Sequence, residues 1–254
     1  MFIGIDIGNT NIVVGFFKNE RLIRTSRFSV LDNLEDNFNS SLRKDSFFCK
    51  FAKEVHKPVI ISSVVPSVVA HMKNFLEKEY RLDILVAGKD INVPIKNLYK
   101  KKKDVGQDRL VNAYSCLHYY SKPAIIVDFG TATTFDYIDT RGSYAGGLIT
   151  PGIEISLNAL AEKTALLPKI SLKEPKQLIG TSTVESIRSG VTFGLAALCD
   201  GIVEKIRKRY SKRAFVIATG GLSDYFSVYC KNIDEVDKDL TLKGLWLLSL
   251  LQEK

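Results

Sequence analysis

Cysteine and histidine are scarce in this sequence of 254 residues, which contains four cysteines and three histidines. The cysteines stand at positions 49, 116, 199 and 230, with no CxxC pair and no histidine at ligand spacing to any of them. This spacing excludes the usual zinc-binding patterns and a disulfide-stabilised scaffold. We therefore expect four reduced thiols in a protein of the cytoplasm.

Long hydrophobic runs are also missing. Continuous apolar stretches such as 125–127 and 245–248 are far shorter than the ~18 residues that span a bilayer. The N-terminus has no basic region and reaches Asp6 early. We expect neither a signal peptide nor a membrane partner.

Acidic residues are outnumbered, since 28 Asp and Glu face 36 Lys and Arg, for a formal charge of +8. This excess fits a solvated surface or attraction for an anionic ligand such as a nucleotide. The densest basic run, 100–103, has no interleaved aromatic residues and belongs to no nucleic-acid-binding motif. The sequence therefore does not favour nucleic acid as a partner.

The most informative feature is an internal repeat. Residues 3–17 read IGIDIGNTNIVVGFF, and residues 125–138 read IIVDFGTATTFDYI. In both, an apolar run ends in Asp-x-Gly and is followed by small polar residues and a second β-rich run. Asp6 and Asp128 lie about half the chain apart, which predicts two similar halves that each open with a strand–turn–strand unit.

The rest of the chain alternates strand-like and helix-like segments. Three short apolar runs predict buried strands at 59–61, 84–86 and 215–217. Helical apolar spacing follows in four segments, at 69–80 after Pro66, at 108–120, at 187–206 and near 241–252. This alternation predicts an α/β protein with flanking helices, divided into an N-terminal half (1–121) and a C-terminal half (122–254).

The first repeat carries a polar turn, Asp6-Ile7-Gly8-Asn9-Thr10, directly after its buried strand. A glycine lets the backbone approach a ligand closely, and exposed N–H groups beside small polar side chains can hold phosphate oxygens. A plain hairpin turn has the same composition. A second copy of this turn at 128–133 favours phosphate binding, because two such turns in duplicated halves can bind one nucleotide between them.

Neither turn belongs to the common nucleotide-binding loops. No G-x-x-x-x-G-K-[ST] motif occurs, and each turn leads into a strand rather than a helix, which excludes the dinucleotide-binding fingerprint. A third turn, Thr219-Gly220-Gly221, is either a simple strand end or a contact for adenosine.

Residues 106–109, Gly-Gln-Asp-Arg, open a predicted helix. Asp108 either complements the helix dipole, an effect of ~0.3–1 kcal/mol, or acts as a general base while Arg109 donates to a polar substrate. Position alone allows both interpretations. No histidine stands in any of these motifs.

Two further segments allow a structural and a functional interpretation. Ser182 and Glu185 form a capping box by spacing, and the helix N-terminus at Thr183 is also a site for an anion such as a carboxylate. The glycine-dense segment 146–152 is either a turn or, with Gly190 and Gly194 of the long helix, a place for close packing between subunits.

With these residues in place, the chain resembles the type III pantothenate kinases, which belong to the superfamily of actin, hexokinase and acetate kinase. The resemblance runs from Asp6 to the C-terminal helix and depends on the order and spacing of seven motifs. These are DIGNTN at 6–11, Tyr99 before a basic stretch, GQDR at 106–109, DFGTATT at 128–134, GGLITPGI at 146–153, TALLP at 164–168 and GTST at 180–183. Gln107 stands where the family more often has alanine, and Ser182 where it often has asparagine.

The resemblance implies a duplicated actin-like, ribonuclease H-like fold and an ATP-dependent phosphorylation of the primary hydroxyl of pantothenate, the first step of coenzyme A biosynthesis. It implies a cytoplasmic homodimer that uses Mg²⁺ with ATP and binds K⁺ or NH₄⁺ at Asp128, with Asp108 as the proton acceptor. The implied ATP-binding residues are Asp6, Ile7, Gly8, Asn9, Thr10, Asn11, Ile12, Val13 and Thr131. The implied pantothenate-binding residues are Tyr99, Gly106, Gln107, Asp108, Arg109 and Thr183.

Two other functions are compatible with the same motifs. Bvg accessory factor, a transcription regulator, shares the family's sequence features and suits a basic protein, although a pure regulator does not need Asp6, Asp108 and Asp128. A kinase for another small hydroxy acid on the same fold is the other alternative.

Overall fold

The computed structural model describes residues 1–30 and 38–252. Its strands are β1 (Phe2–Ile7), β2 (Asn11–Lys18), β3 (Arg21–Ser29), β4 (Val59–Ser63), β5 (Ile84–Val86), β6 (Ala124–Phe129), β7 (Ala132–Ile138), β8 (Tyr144–Pro151), β9 (Phe215–Thr219) and β10 (Glu235–Val236). Its helices are α1 (Asn39–Lys44), α2 (Ser46–Ala52), α3 (Pro66–Tyr80), α4 (Gln107–Tyr119), α5 (Ile153–Lys163), α6 (Thr183–Arg209), α7 (Ser223–Ser227) and α8 (Leu240–Leu250).

The chain forms two compact units. The first unit comprises Met1–Ile95, Lys100–His118 and Leu240–Lys254. The second unit comprises Lys96–Tyr99 and Tyr119–Asp239. Each unit contains one five-stranded mixed sheet with helices packed against it.

The two sheets have the same topology. The first has the order β3-β2-β1-β4-β5, and the second has the order β8-β7-β6-β9-β10. In each sheet the first three strands are antiparallel and the last two are added in parallel. The sequence repeat forms β1–β2 in one sheet and β6–β7 in the other, which confirms the predicted α/β fold with two similar halves.

Helices cover both faces of the first sheet, and successive side chains of β1 point to opposite faces, so β1 contributes to two cores. Its isoleucines lie in a core with α1, α2 and α3, whereas Phe2 on the other face packs against Trp246 of α8. Gly15 brings α8 close to the sheet, since a Cβ there would lie 2.8 Å from Leu242. Helix α8 therefore belongs to the first unit, although a single boundary at residue 121 assigns it to the C-terminal half.

The second unit has its own core, to which β6 contributes Val127 and Phe129 and α6 contributes Cys199 and Val203. Among the described residues, α6 is also the one helix long and apolar enough to cross a membrane, with a mean hydropathy of 1.2 over its best 18 residues. About a third of that stretch (33%) is buried. Core helices pass the same test, so this helix is weak support for a membrane span.

Most predicted elements are confirmed, and one predicted turn is instead mainly a strand. The predicted strands lie in β4, β5 and β9, and the predicted helices overlap α3, α4, α6 and α8. The glycine-dense segment 146–152, by contrast, is not only a turn, because most of it lies in β8, which pairs with β7 along its length. Glycine has low strand propensity, so the pairing with β7 rather than local composition determines this strand.

Candidate active site

The first predicted turn joins β1 to β2. The Gly8 N–H donates to the Asn11 carbonyl at 2.9 Å and closes the turn, and the Val30 N–H donates to the Thr10 carbonyl at 2.9 Å. A Cβ on Gly8 would meet only the Asn11 carbonyl, at 3.5 Å, which is an ordinary contact. Packing among the described residues thus leaves open space beside Gly8, where a ligand could approach the backbone closely.

The predicted nucleotide-binding residues 6–13 divide by side-chain burial. Ile7 and Ile12 are essentially fully buried and belong to the first core. Only their backbone groups could reach a ligand. Asn9 is exposed, and Asp6, Thr10 and Asn11 are partly exposed. Their polar side chains are thus the ones available at this turn.

Helix α4 begins at the same edge of the first sheet as this turn. Strands β1, β4 and β5 are parallel, so their carboxyl ends lie together. The Val64 N–H, just after β4, donates to the Ile7 carbonyl at 3.2 Å. A Cβ built on Gly106, just before α4, would lie 3.8 Å from the Val64 side chain. The structure therefore brings the motif 106–109 and the β1–β2 turn to one sheet edge, the usual location of ligand sites in α/β folds.

Asp108 lies in the first turn of α4, and its Oδ1 atom is buried. Its carboxylate folds back over Gly106, because a Cβ at that position would lie 2.4 Å from Oδ1. Arg109 is only 7% exposed. An arginine so deeply placed differs from a solvated surface cation, since a buried charge must be paired.

Gln107 packs against a second glycine. Gly88 follows β5 with a φ of +80°, and a Cβ there would lie 2.4 Å from the Gln107 Oε1 atom. The Gln107 side chain therefore fills the space above the Gly88 backbone. This contact explains how a residue larger than alanine is accommodated at this position of the motif.

The second predicted turn, between β6 and β7, places Asp128 opposite Thr134 on one side and Thr219 on the other. Gly220 has a φ of +90°, and a Cβ there would lie 2.3 Å from Asp128 Oδ1 and 2.8 Å from the Phe129 carbonyl carbon. A Cβ on Gly130 would lie 3.2 Å from the same oxygen. The carboxylate thus occupies a recess that exists because both neighbours lack side chains.

This recess suits a hard cation. Carboxylate, carbonyl and hydroxyl oxygens are the ligands that such ions prefer, and the Asp128 turn offers oxygen donors. Within residues 1–30 and 38–252, no group of three or more His, Cys, Asp or Glu side chains could hold a metal ion.

The β6–β7 turn that contains Thr131 is also packed against the residue that precedes α5. Gly152, which precedes α5, approaches so closely that a Cβ there would lie 2.2 Å from the Thr131 carbonyl oxygen and 2.7 Å from the Gly130 carbonyl oxygen. The turn is thus fixed between the end of β9 and the start of α5. Such rigidity suits a ligand site, since preorganised groups lose little freedom on binding.

Tyr99 is held against β8 by a short paired segment. The Leu98 N–H donates to the Tyr144 carbonyl, and the Tyr144 N–H donates to the Lys96 carbonyl, both at 2.9 Å. The Tyr99 ring lies 6.4 Å from the Tyr144 ring, between centroids. It also covers Gly146, where a Cβ would contact the ring at 3.7 Å.

A buried carboxylate supports this arrangement, and the sequence offered no signal for it. Asp136 is 1% exposed. It accepts a hydrogen bond from the Tyr144 hydroxyl at 2.7 Å and one from the Thr134 hydroxyl at 3.1 Å. Because Thr134 stands opposite Asp128 in the sheet, this network runs from the β8 contact toward the second turn.

Thr183 begins α6, and one of the two hydrogen bonds of the capping box predicted beside it is confirmed. The Ser182 hydroxyl accepts the Glu185 N–H at 3.3 Å. The Glu185 carboxylate accepts instead from the Thr181 hydroxyl and N–H, at 3.0 and 3.2 Å. These two hydrogen bonds hold the pKa of Glu185 below its ordinary value, and the one from the Thr181 hydroxyl has the larger effect. Thr183 itself is exposed at the helix N-terminus.

The duplicated sheets, each with an Asp-x-Gly turn at the end of its central strand, define a protein with a duplicated actin-like fold. A solved structure from Sinorhizobium meliloti, described as a 2-dehydro-3-deoxygalactonokinase, has this fold. The likeness covers 99% of this chain and 96% of that one, with a TM-score of 0.58 at 12% identity.

Sequence comparison identifies the family within this class. The model of the type III pantothenate kinase family matches residues 2–205. A type III pantothenate kinase from Finegoldia magna is 43% identical over 253 residues, covering 98% of this chain and 97% of the relative. Another, from Syntrophus aciditrophicus, is 38% identical over 249 residues, covering 98% of each. The chain belongs to the type III pantothenate kinase family.

Proposed function

We propose that this protein transfers the terminal phosphoryl group of ATP to the primary hydroxyl of pantothenate, the first step of coenzyme A biosynthesis. Family membership supports the reaction. The observation that carries the proposal is the position of Asp108, whose carboxylate lies at the sheet edge that also holds the β1–β2 turn. A kinase for an alcohol needs a phosphate-binding turn and a proton acceptor, and this edge offers both.

ATP is assigned to residues 6–13 and to Thr131. The β1–β2 turn contributes backbone N–H groups and the partly exposed Thr10 and Asn11, which suit phosphate oxygens. The clearance at Gly8 supports this assignment, because a Cβ there would make only one ordinary contact with the part of the chain that the structure describes.

Pantothenate is assigned to Tyr99, Thr183 and the motif 106–109. It carries a carboxylate, an amide and hydroxyl groups, so it requires several polar contacts. The buried Arg109 suits an anionic or carbonyl oxygen. The N–H groups at the start of α6, beside Thr183, suit a carboxylate.

Asp108 is assigned as the proton acceptor. Phosphoryl transfer depends mainly on positioning and charge neutralisation, but the attacking hydroxyl must lose its proton to a nearby base. Asp108 accepts that proton as the oxygen bonds to phosphorus, and ADP departs. Its place on a helix end fixes the direction of its approach.

Cations neutralise the polyphosphate, with Mg²⁺ arriving on ATP and K⁺ or NH₄⁺ at Asp128. A carboxylate ~4 Å from a phosphate oxygen costs about 4 kcal/mol per charge pair at an effective dielectric near 20. Asp6 and Asp128 both stand on turns without a lysine. The glycine-lined recess at Asp128 supports a cation there.

The protein acts as a homodimer in the cytoplasm. The second unit exposes apolar side chains around its edge strand β8 and the following loops, namely Leu148, Ile149, Leu166, Leu178 and Ile179. Exposed apolar surface of this kind is typical of protein interfaces. The four cysteines are free thiols, as a reducing compartment requires. Sedimentation at micromolar concentration should give twice 28.4 kDa, and a fully active monomer would contradict the dimer.

A coupled assay of ADP release tests the reaction directly. Pantothenate is compared with a panel of other alcohols and short hydroxy acids at matched concentration. We expect ADP release with pantothenate and formation of a phosphorylated product by mass spectrometry. Release with another hydroxy acid alone would favour a different kinase, and no release with any of them would favour the regulator.

A further inference from the structure

Gly106 occupies an unusual position relative to the residue two places after it. A Cβ built on Gly106 would lie 2.4 Å from Asp108 Oδ1 and 3.5 Å from Asp108 Cγ. Real Cβ atoms essentially never approach another heavy atom closer than 3.0 Å. The Asp108 carboxylate therefore occupies the space that any other residue at position 106 would fill.

Other demands on Gly106 are weak. Its φ does not lie in the left-handed region, where the glycines at 88, 142, 146 and 220 are found. The next atom that a Cβ would meet is on Val64, at an easy 3.8 Å. Alanine is thus compatible with the backbone and the packing at this position, and the severe contact is with the carboxylate.

We propose that Gly106 is a positioning residue for Asp108. It acts by leaving room for the carboxylate to fold back over the start of α4, toward the sheet edge that holds the β1–β2 turn. This inference rests on the proposed function in one respect, that Asp108 is the proton acceptor. It differs from the assignment of Gly106 as a direct pantothenate contact.

The size of the effect follows from the distance. An ordinary Cβ contact begins at 3.4 Å, so the 2.4 Å contact forces the carboxylate to move by about 1 Å. A misplacement of that size can reduce a rate by about 10²-fold. We expect Gly106→Ala to lower kcat by roughly 10- to 100-fold and to leave the KM for ATP within about twofold.

A double-mutant cycle separates positioning from direct contact. In the Asp108→Asn background there is no base to displace, so adding Gly106→Ala should cost nothing further in kcat. Equal fold-losses in both backgrounds would overturn the proposal, as would a raised KM for pantothenate with unchanged kcat. Gly201→Ala, where a Cβ meets nothing within 4 Å, is the matched control.

A crystal structure of Gly106→Ala gives a second readout that does not depend on activity. We expect the α4 backbone to be unchanged and the Asp108 carboxylate to be rotated away from position 106. A carboxylate that keeps its place would overturn the proposal. Failure of the proposed function has a different signature, namely no pantothenate-dependent ADP release by the wild type. Full pantothenate-dependent activity in Asp108→Asn would instead remove the assignment of Asp108 as the proton acceptor.

Discussion

Gly220→Ala is the substitution whose effect on stability the structure specifies best. The added methyl would lie 2.3 Å from Asp128 Oδ1, and 2.8 and 2.9 Å from the Phe129 carbonyl carbon and nitrogen. A side-chain oxygen can move, but the Phe129 backbone is fixed by its pairing with Thr133 of β7 and by the hydrogen bond that its carbonyl accepts from the Leu222 N–H at 3.2 Å. The φ of +90° adds strain that no rearrangement of neighbours removes.

Two costs combine in this variant. A non-glycine residue in the left-handed region costs ~1–2 kcal/mol, and overpacking of a filled site typically costs ~1–3 kcal/mol. We expect the free energy of unfolding of the second unit to fall by about 3 kcal/mol. At roughly 2–4 °C per kcal/mol, the thermal midpoint should fall by about 10 °C.

Circular dichroism during heating and in urea measures this loss, with Gly201→Ala as the control. Gly201 lies inside α6, where a Cβ meets nothing within 4 Å. Alanine there should raise stability by ~0.5–1 kcal/mol through helix propensity. The two alanine variants should therefore shift the midpoint in opposite directions.

A midpoint for Gly220→Ala at or above that of the wild type would refute this reasoning. It would mean that the end of β9 can move away from Asp128 without cost. The recess around the Asp128 carboxylate would then be an incidental feature of the turn rather than a rigid binding site.

Three further predictions concern the proposed chemistry and the buried network. Asp108→Asn should lower kcat by roughly 10²–10⁴-fold, the usual contribution of a general base, with pantothenate binding by calorimetry largely kept; a kcat within a few-fold of wild type would leave Asp108 as a helix-end acid. Activity with Mg²⁺ and ATP should collapse when potassium is replaced by sodium or a bulky organic cation at matched ionic strength, and Asp128→Asn should lose this dependence together with most of the rate. Equal activity in the three salts would contradict a cation at Asp128. Tyr144→Phe removes the 2.7 Å hydrogen bond to the buried Asp136 and should destabilise the protein by ~1.5–3 kcal/mol in urea unfolding. Tyr210→Phe, on a residue 65% exposed, serves as its control, and equal stability of the two variants would show that the buried hydrogen bond contributes little.

Local pattern in the sequence was enough for several elements. Pro66 starts α3, and the Ser182 hydroxyl caps α6, because these signals depend on residues within one turn of the helix. The repeated Asp-x-Gly turns predicted the duplication, since an apolar run ended by a polar turn specifies a buried strand wherever it occurs. The order and spacing of the motifs identified the family.

The sequence by itself thus determined many of the elements, the duplication and the candidate residues, all of which depend on neighbours along the chain. Tertiary structure decided the rest. Helix α8 joins the first unit because the surface that its apolar residues cover is formed at the other end of the sequence. Gly220 accommodates Asp128, and Asp136 accepts from Tyr144, only once strand pairing brings them together. Contacts between residues far apart in the chain have no local signature, because each partner's requirement appears only when the other is in place.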